Sequence, residues 1–225
     1  MHAQSNDRLN LAPVSALGVA TKARILDAAE ELFGERGFAG TSLRAVTAAA
    51  TANVAAVRYH FGGKEGLLRA VADRAMAPVN EERLKALRDM QATGSDADVA
   101  SLVRAFVVPS AELVHRHGER GLHVARFIGR VMFEPEGEVR RMFAEQVDPV
   151  EGLYLAALTK ALPDLVEEEV VFRYRAMVGL LALHQTGALA DLATRSAAPA
   201  DRAQVTEWLV TMITSSFLAP STVTC

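Results

Sequence analysis

Apolar positions in this chain recur with the period of an α-helix almost everywhere from Thr21 onward. Ile25, Leu26, Ala29, Leu32 and Phe33 fall at i, i+1, i+4, i+7 and i+8, one stripe of a helix that Gly37 closes. Thr41 or Ser42 can cap a second helix, whose inward stripe is Leu43, Val46, Thr47 and Ala50. After a break at Thr51, Ala52 and Asn53, Asn53 caps a third helix, Val54 to His60, with Val57 and Phe61 facing inward. Gly62 and Gly63 end it, and Lys64 opens a long fourth helix through Leu67, Leu68, Val71 and Ala72. Beyond residue 76, Pro78, Thr93-Gly94-Ser95, Gly118, Pro135-Glu136-Gly137, Pro163 and Pro199 punctuate five or six more helices. No window alternates with period two, so the chain is expected to be all-α, with residues 1–20 a loose arm before the first helix.

Composition narrows the class. The 225 residues are 50% hydrophobic and 23% charged, enough apolar mass for a sizeable core and too little charge for a disordered chain. One cysteine, Cys225, excludes a disulfide framework and a cysteine-built zinc site, so a reducing, cytoplasmic setting is the expectation. The uncharged stretch from Ala176 to Ala190 is too short to span a bilayer, and Trp208 to Cys225 is broken by hydroxyl residues and Pro220. Leu9 to Ala20 lacks the basic flank of a signal peptide and is broken by Pro13 and Gly18.

Charge is distributed in a way that the total of −3 conceals. Residues 1–75 hold nine basic and seven acidic side chains, leaving fifteen against twenty for the rest. No acidic residue occurs between Glu35 and Glu65, and inside that gap lie Arg36, Arg44, Arg58 and Lys64, interleaved with Tyr59 and His60. Carboxylates are costly beside closely spaced phosphates, whereas cations there release counterions. Two short helices, an Asn-capped second one and a surface without acid describe a helix-turn-helix, although an ordinary helical hairpin with a solvated basic face has the same periodicity.

Longer motifs favour the first reading. The runs Thr41-Ser42-Leu43-Arg44-Ala45-Val46 and Val57-Arg58-Tyr59-His60-Phe61-Gly62-Gly63-Lys64-Glu65-Gly66-Leu67-Leu68 resemble the tetracycline-repressor family of bacterial transcription regulators. Ile25-Leu26-Asp27-Ala28-Ala29 and Leu32-Phe33-Gly34-Glu35-Arg36-Gly37-Phe38 are similar to its first helix. The resemblance implies a DNA-binding module over 21–75, a helical ligand-binding and dimerisation domain over 76–225, and a homodimer on palindromic operator DNA. It departs from the pattern at Thr51, where the turn usually carries glycine, and at Thr47, which replaces alanine.

Carried onto these positions, Val54, Ala55 and Ala56 would face the major groove, where small apolar groups touch thymine methyls. Arg58 would reach guanine or a phosphate, and Arg44 is the other candidate for either. Tyr59, His60 and Lys64 resemble backbone-contacting residues, which position a module without reading sequence. For Tyr59 a place in the core, and for His60 a hydrogen bond bracing the helix end, are the alternatives.

In the second domain, a long helix is expected over about Val166–Thr194, with Gly179, Leu183 and Gly187 four apart. The last helix, Asp201 to Leu218, carries Val205, Trp208, Leu209, Met212 and Ile213 along one side. Such a pair suits a dimer four-helix bundle, or else simply fills the monomer. For the ligand, Phe127 and Phe133 make the helix Leu122–Phe133 apolar, and His123, Arg126 and Arg130 share one face. With Met177 and His184 they outline a greasy pocket with cations at its mouth, fit for a fatty acid or acyl thioester, or else core and solvated face. The run Ala52 to Phe61 also resembles the family's fatty-acid-regulating branch.

Catalytic signals are weak. His115 and His117, two apart, point away from each other on a helix and make a poor metal pair. Gly62-Gly63-Lys64 lacks the upstream glycine and the Ser/Thr of a phosphate loop, and there is no Gly-x-Ser-x-Gly elbow. No cofactor, metal or enzymatic activity is expected. The competing class is a helical dimer that binds a lipid or protein partner without DNA.

Overall fold

A computed structural model describes residues 12–92, 97–135, 137–187 and 201–221. Its helices are α1 (Ala12–Arg36), α2 (Leu43–Ala49), α3 (Val54–Phe61), α4 (Lys64–Ala92), α5 (Val99–Ala111), α6 (Leu113–Met132), α7 (Gly137–Ala161), α8 (Glu167–Thr186) and α9 (Arg202–Leu218). There is no strand among the described residues, and none of these helices is long and apolar enough to cross a membrane.

The expected caps form. The Ser42 hydroxyl accepts from the Ala45 N–H and the Asn53 side chain from the Ala56 N–H, each meeting an amide that the first helical turn leaves unbonded. Thr41 is buried at the α1–α2 turn and donates to the carbonyls of Leu32 and Gly37.

Four expectations change. The first helix begins at Ala12, not Thr21, because Pro13 sits in its first turn, where the missing N–H would have no partner anyway; residues 1–11 lie outside the described residues. Pro78 does not end a helix: α4 runs through it to Ala92, crossing the boundary expected at residue 76. Likewise α6 carries Gly118 as an internal break, at φ 57° and ψ −136°. Finally, α8 stops at Thr186 instead of Thr194, because Gly187 turns left-handed at φ 65°. The punctuating residues 93–95 and Pro199 fall outside the described residues.

Two apolar cores form among the described residues. One joins the three N-terminal helices to the first part of α4, to α6 and to the start of α7, around Ile25, Phe33, Val57, Leu67 and Phe127. The other joins α5, α8, α9 and the far part of α7, with Phe106 edge-on to Tyr154 at 5.1 Å and to Tyr174 at 5.4 Å. The N-terminal module therefore shares its interior with α6 and α7.

Polar contacts fix how the helices meet. Glu30 of α1 is only 1% exposed, and its carboxylate accepts from Arg74 of α4 at 2.7 Å, with Arg120 of α6 at 3.6 Å. Arg74 also reaches the exposed Asp27 at 2.7 Å. Backbones approach closely on both sides of α6. A Cβ at Gly34 would stand 3.2 Å from the Phe127 nitrogen, and one at Gly129 2.8 Å from the Ala182 carbonyl oxygen of α8. At the far end, Arg173 of α8 donates to the carbonyls of Ser216, Phe217 and Ala219, the acceptors that the last turn of α9 leaves open.

Glu30→Ala is expected to destabilise the protein by about 2 kcal/mol, since the half-buried Arg74 loses two charge-assisted hydrogen bonds and keeps only the exposed Asp27. Asp27→Ala at the exposed end of the same arginine should cost less than about 1 kcal/mol. Urea unfolding of the two variants, with unchanged denaturant slope, measures both.

Candidate nucleic-acid interface and effector cavity

The N-terminal module presents one face of α3 to solvent. Val57 is fully buried and anchors that helix against α1. Arg58 and Ala55 are exposed, and Tyr59 is 85% exposed, so it is no core aromatic. Its ring stands edge-on to His60 at 5.0 Å, and His60, half-buried, lies 6.0 Å from Phe61. Of the three small apolar residues, Val54 is half-buried and Ala56 packs on the core, being next to Val57 at the edge of the buried stripe. Only Ala55 stands wholly outside.

Arg44 is exposed on α2. The Lys64 ammonium lies 4.0 Å from the centre of the Phe38 ring, a cation–π contact that holds it beside the end of α3. Two further cations were not foreseen. Lys22, exposed on α1, stands 5.9 Å from the Phe61 ring, and Arg24 donates to the Ala50 carbonyl at 3.1 Å, closing the end of α2. Both sit in the turn just before Ile25, where an amphipathic pattern says only that they face outward. Together these residues form a surface that carries cations and hydroxyls over the acid-free stretch between Glu35 and Glu65. Chemically it can neutralise phosphates and hydrogen-bond base edges.

The turn between α2 and α3 is strained. Thr51 has φ 48°, the one non-glycine residue with positive φ among the described residues. The Thr47 hydroxyl, in contrast, has a partner and donates to the Arg44 carbonyl at 3.2 Å.

A cavity of about 350 Å³ opens among α4, α5, α6, α7 and α8. Its walls are mainly apolar: Met76, Phe106, Ile128, Val131, Met132, Phe133, Phe143, Val150 and Val178. Polar groups come from Arg83, Ser110, Glu151, Tyr174 and Gln185, with the exposed Arg140 and Arg175 also on its lining. Arg83 is 4% exposed; it donates to the Phe106 carbonyl and the Ser110 hydroxyl, both at 2.9 Å, and lies 3.7 Å from the Phe106 ring centre. Burial lowers its pKa to about 10, which leaves it charged at neutral pH. Burial, reinforced by the Glu151 charge, pushes the Tyr174 phenol up and keeps it protonated.

The residues expected to line a ligand site are split among different places. Phe133 alone lines the cavity. Phe127 is buried in the first core, edge-on to Phe143 at 6.3 Å, and Met177 is buried in the second. His184 is exposed near the end of α8, and His123 is half-buried away from the cavity lining. Arg126 and Arg130 face a separate outer groove of about 790 Å³, with Arg36 and Glu35 at the end of α1 and Glu134 after α6. The reason is that α6 is covered by α1 on one side and α8 on another, so its cationic stripe and its cavity stripe point in different directions. Phe133 lines both spaces, and the buried Glu134 accepts from the Ala39 N–H of the α1–α2 turn at 3.4 Å. Arg83, Gln185 and Tyr174 were missed, although Val79, Arg83 and Leu87, spaced by four, place a charge where the core pattern calls for an apolar group.

Both parts of this architecture match known families. Residues 25–71 match the description "Bacterial regulatory proteins, tetR family", and residues 104–215 match "Tetracyclin repressor-like, C-terminal domain". The chain belongs to the TetR family of helix-turn-helix transcription regulators. Within the family it is similar to the HTH-type transcriptional regulatory protein RaaS of Mycobacterium tuberculosis (strain ATCC 25618 / H37Rv), 35% identical over 112 residues. That match covers 50% of this chain and 51% of RaaS, so the chain spans about half the length of that relative. Among solved structures, the fold is shared with the transcriptional regulator FadR from Bacillus subtilis in complex with stearoyl-CoA. That likeness has a TM-score of 0.65 and 14% identity, over 86% of this chain and 98% of that one. AibR in complex with isovaleryl coenzyme A and operator DNA shares it at TM-score 0.60 and 21% identity, over 85% and 97%.

In this TetR-family module, Thr51→Gly should relieve the turn and stabilise the protein by about 1 kcal/mol, because glycine adopts positive φ without a Cβ clash. The thermal midpoint measures it. A midpoint that fails to rise would mean that Thr51 gains from its surroundings what its backbone loses.

Proposed function

We propose that this protein is a dimeric repressor that binds a palindromic operator and is released from it by a small hydrophobic, fatty-acyl effector held in the cavity. The single observation that carries the reading is the outward face of α3. A fully buried Val57 locks a helix whose exposed side chains, Arg58 and Tyr59, stand on a surface without acid between Glu35 and Glu65. The acyl chemistry is supported by the apolar cavity and by the coenzyme A thioesters bound in FadR and AibR.

An operator read by two recognition helices needs two-fold symmetry. The face that supports it is the outer side of α8 and α9, where Phe172, Leu180, Trp208 and Met212 are exposed. The expected stripe on the last helix thus divides: Leu209 and Ile213 fill the monomer core, while Trp208 and Met212 face outward. Effector and DNA are coupled through α4, which starts with Lys64 beside the recognition helix and carries Met76 into the cavity wall. An effector that prefers a conformer with a different separation of the two recognition helices weakens DNA binding, and DNA weakens effector binding equally.

A gel shift with the DNA upstream of the protein's own coding region tests the reading. A sequence-selective, salt-dependent shift supports it; no shift at low salt leaves the alternative, a helical dimer that binds a lipid or protein without DNA. Lys64→Ala should weaken binding alike on all sequences and lower the salt slope by about one. Arg58→Ala should relax specificity at a cost of about 1–3 kcal/mol. Trp208→Glu should shift the dimer towards monomer in sedimentation and lose operator affinity in proportion.

A further inference from the structure

Arg83 is an unusual occupant of the cavity wall. It is a cation that is 4% exposed, and among the described residues no carboxylate stands within ion-pair distance of it. Two of its five N–H groups are bonded, one to the Phe106 carbonyl and one to the Ser110 hydroxyl. Its Nη1 finds no acceptor among the described residues, and the side chain lines the cavity. A buried charge is costly unless an opposite charge or several hydrogen bonds compensate it. The neighbouring groups do not complete that compensation. Stacking on Phe106 and two neutral acceptors hold the guanidinium in place on the cavity lining.

We propose that the cavity binds an aliphatic monocarboxylate, its carboxylate on the Arg83 guanidinium and its tail along Ile128, Val131 and Phe143. This deepens the effector reading and rests on it: the effector enters head first as the free acid, and the exposed Arg126 and Arg130 are not its head-group site. One guanidinium offers one charge and a planar fork of donors, which matches a carboxylate. A dianionic phosphate is disfavoured, because Glu151 also lines the cavity and the other cations there, Arg140 and Arg175, are exposed. The size agrees. About 350 Å³ holds roughly a dozen methylene-sized groups at ~30 Å³ each, a tail of medium length and not a nucleotide thioester.

The test is calorimetric titration of the full-length protein with decanoate, 1-decanol and decanoyl-CoA, repeated on Arg83→Met. Decanoate is expected to bind at least about tenfold tighter than 1-decanol, as a charge-assisted hydrogen bond commands. In Arg83→Met that preference disappears while 1-decanol still binds. Equal affinity of acid and alcohol in the natural protein overturns the proposal, and so does a decanoate preference that survives in Arg83→Met. Tighter binding of decanoyl-CoA than of decanoate also overturns it, moving the head group outside. If Arg83→Met does not fold, as circular dichroism will show, the acid–alcohol comparison on the natural protein decides alone. Binding of none of the three overturns the proposal too, and the gel shift on the same preparation then tells whether the regulator reading stands without it.

Discussion

A carboxylate sealed in the interior constrains how the N-terminal module is mounted. Burying the Glu30 carboxylate among apolar side chains is costly without a counter-charge, and Arg74 and Arg120 bring that charge from two other helices. The three helices so tied are the first of the DNA-binding module, the one that follows the recognition helix, and the one that walls the cavity. Hydrophobic packing alone tolerates small slides between helices, whereas a forked guanidinium on a carboxylate accepts a narrow range of distances and angles. The pair therefore fixes the orientation of the module, which apolar burial would leave loose.

Around that tie, α6 occupies the middle of the molecule. Gly34 on one side and Gly129 on the other let its backbone come within contact distance of α1 and α8, so a shift in α6 has little slack on either side. Its cavity residues Ile128, Val131 and Met132 lie on the same helix as the backbone that meets Gly34. Glu134 then extends the contact to the turn between α1 and α2. Motion at the cavity can thus reach the DNA-binding module by α6 as well as by α4.

The fold was legible in the sequence wherever the signals are local. Caps at Ser42 and Asn53 and glycines at 37 and 62 each act over one or two turns, and the helix ends they mark lie within a residue or two of expectation, whereas the stripe from Ile25 to Phe33 finds α1 without finding its start. Proline misled at position 78, because Pro78 sits inside α4, where tertiary packing outweighs one lost hydrogen bond, as it also does for Pro109 in α5 and Pro149 in α7. The cavity was legible only as a class. Periodicity finds an apolar stripe on α6 but does not say which of its covered sides borders empty space, so Arg126 and Arg130 looked like cavity residues. The clearer sign was a cation at a core position. Arg83 between Val79 and Leu87, and Arg173 between Val170 and Met177, break apolar stripes that one missing hydrophobe would not need to break with a charge. The first serves a cavity and the second closes a helix end, a difference that only the fold reveals.

The Lys64–Phe38 contact has a consequence for how fast and how firmly DNA is held. A lysine in water explores many rotamers, and freezing them on an incoming phosphate costs up to about 2 kcal/mol of side-chain entropy. Here part of that ordering accompanies folding, since the ammonium already rests on an aromatic face 4.0 Å away. The ring's attraction acts at contact range and is weakly screened by salt, so the side chain stays placed under ionic conditions that would release a purely coulombic partner. In the proposed complex the phosphate then meets a pre-oriented donor, and the gain falls on residence time more than on the rate of encounter.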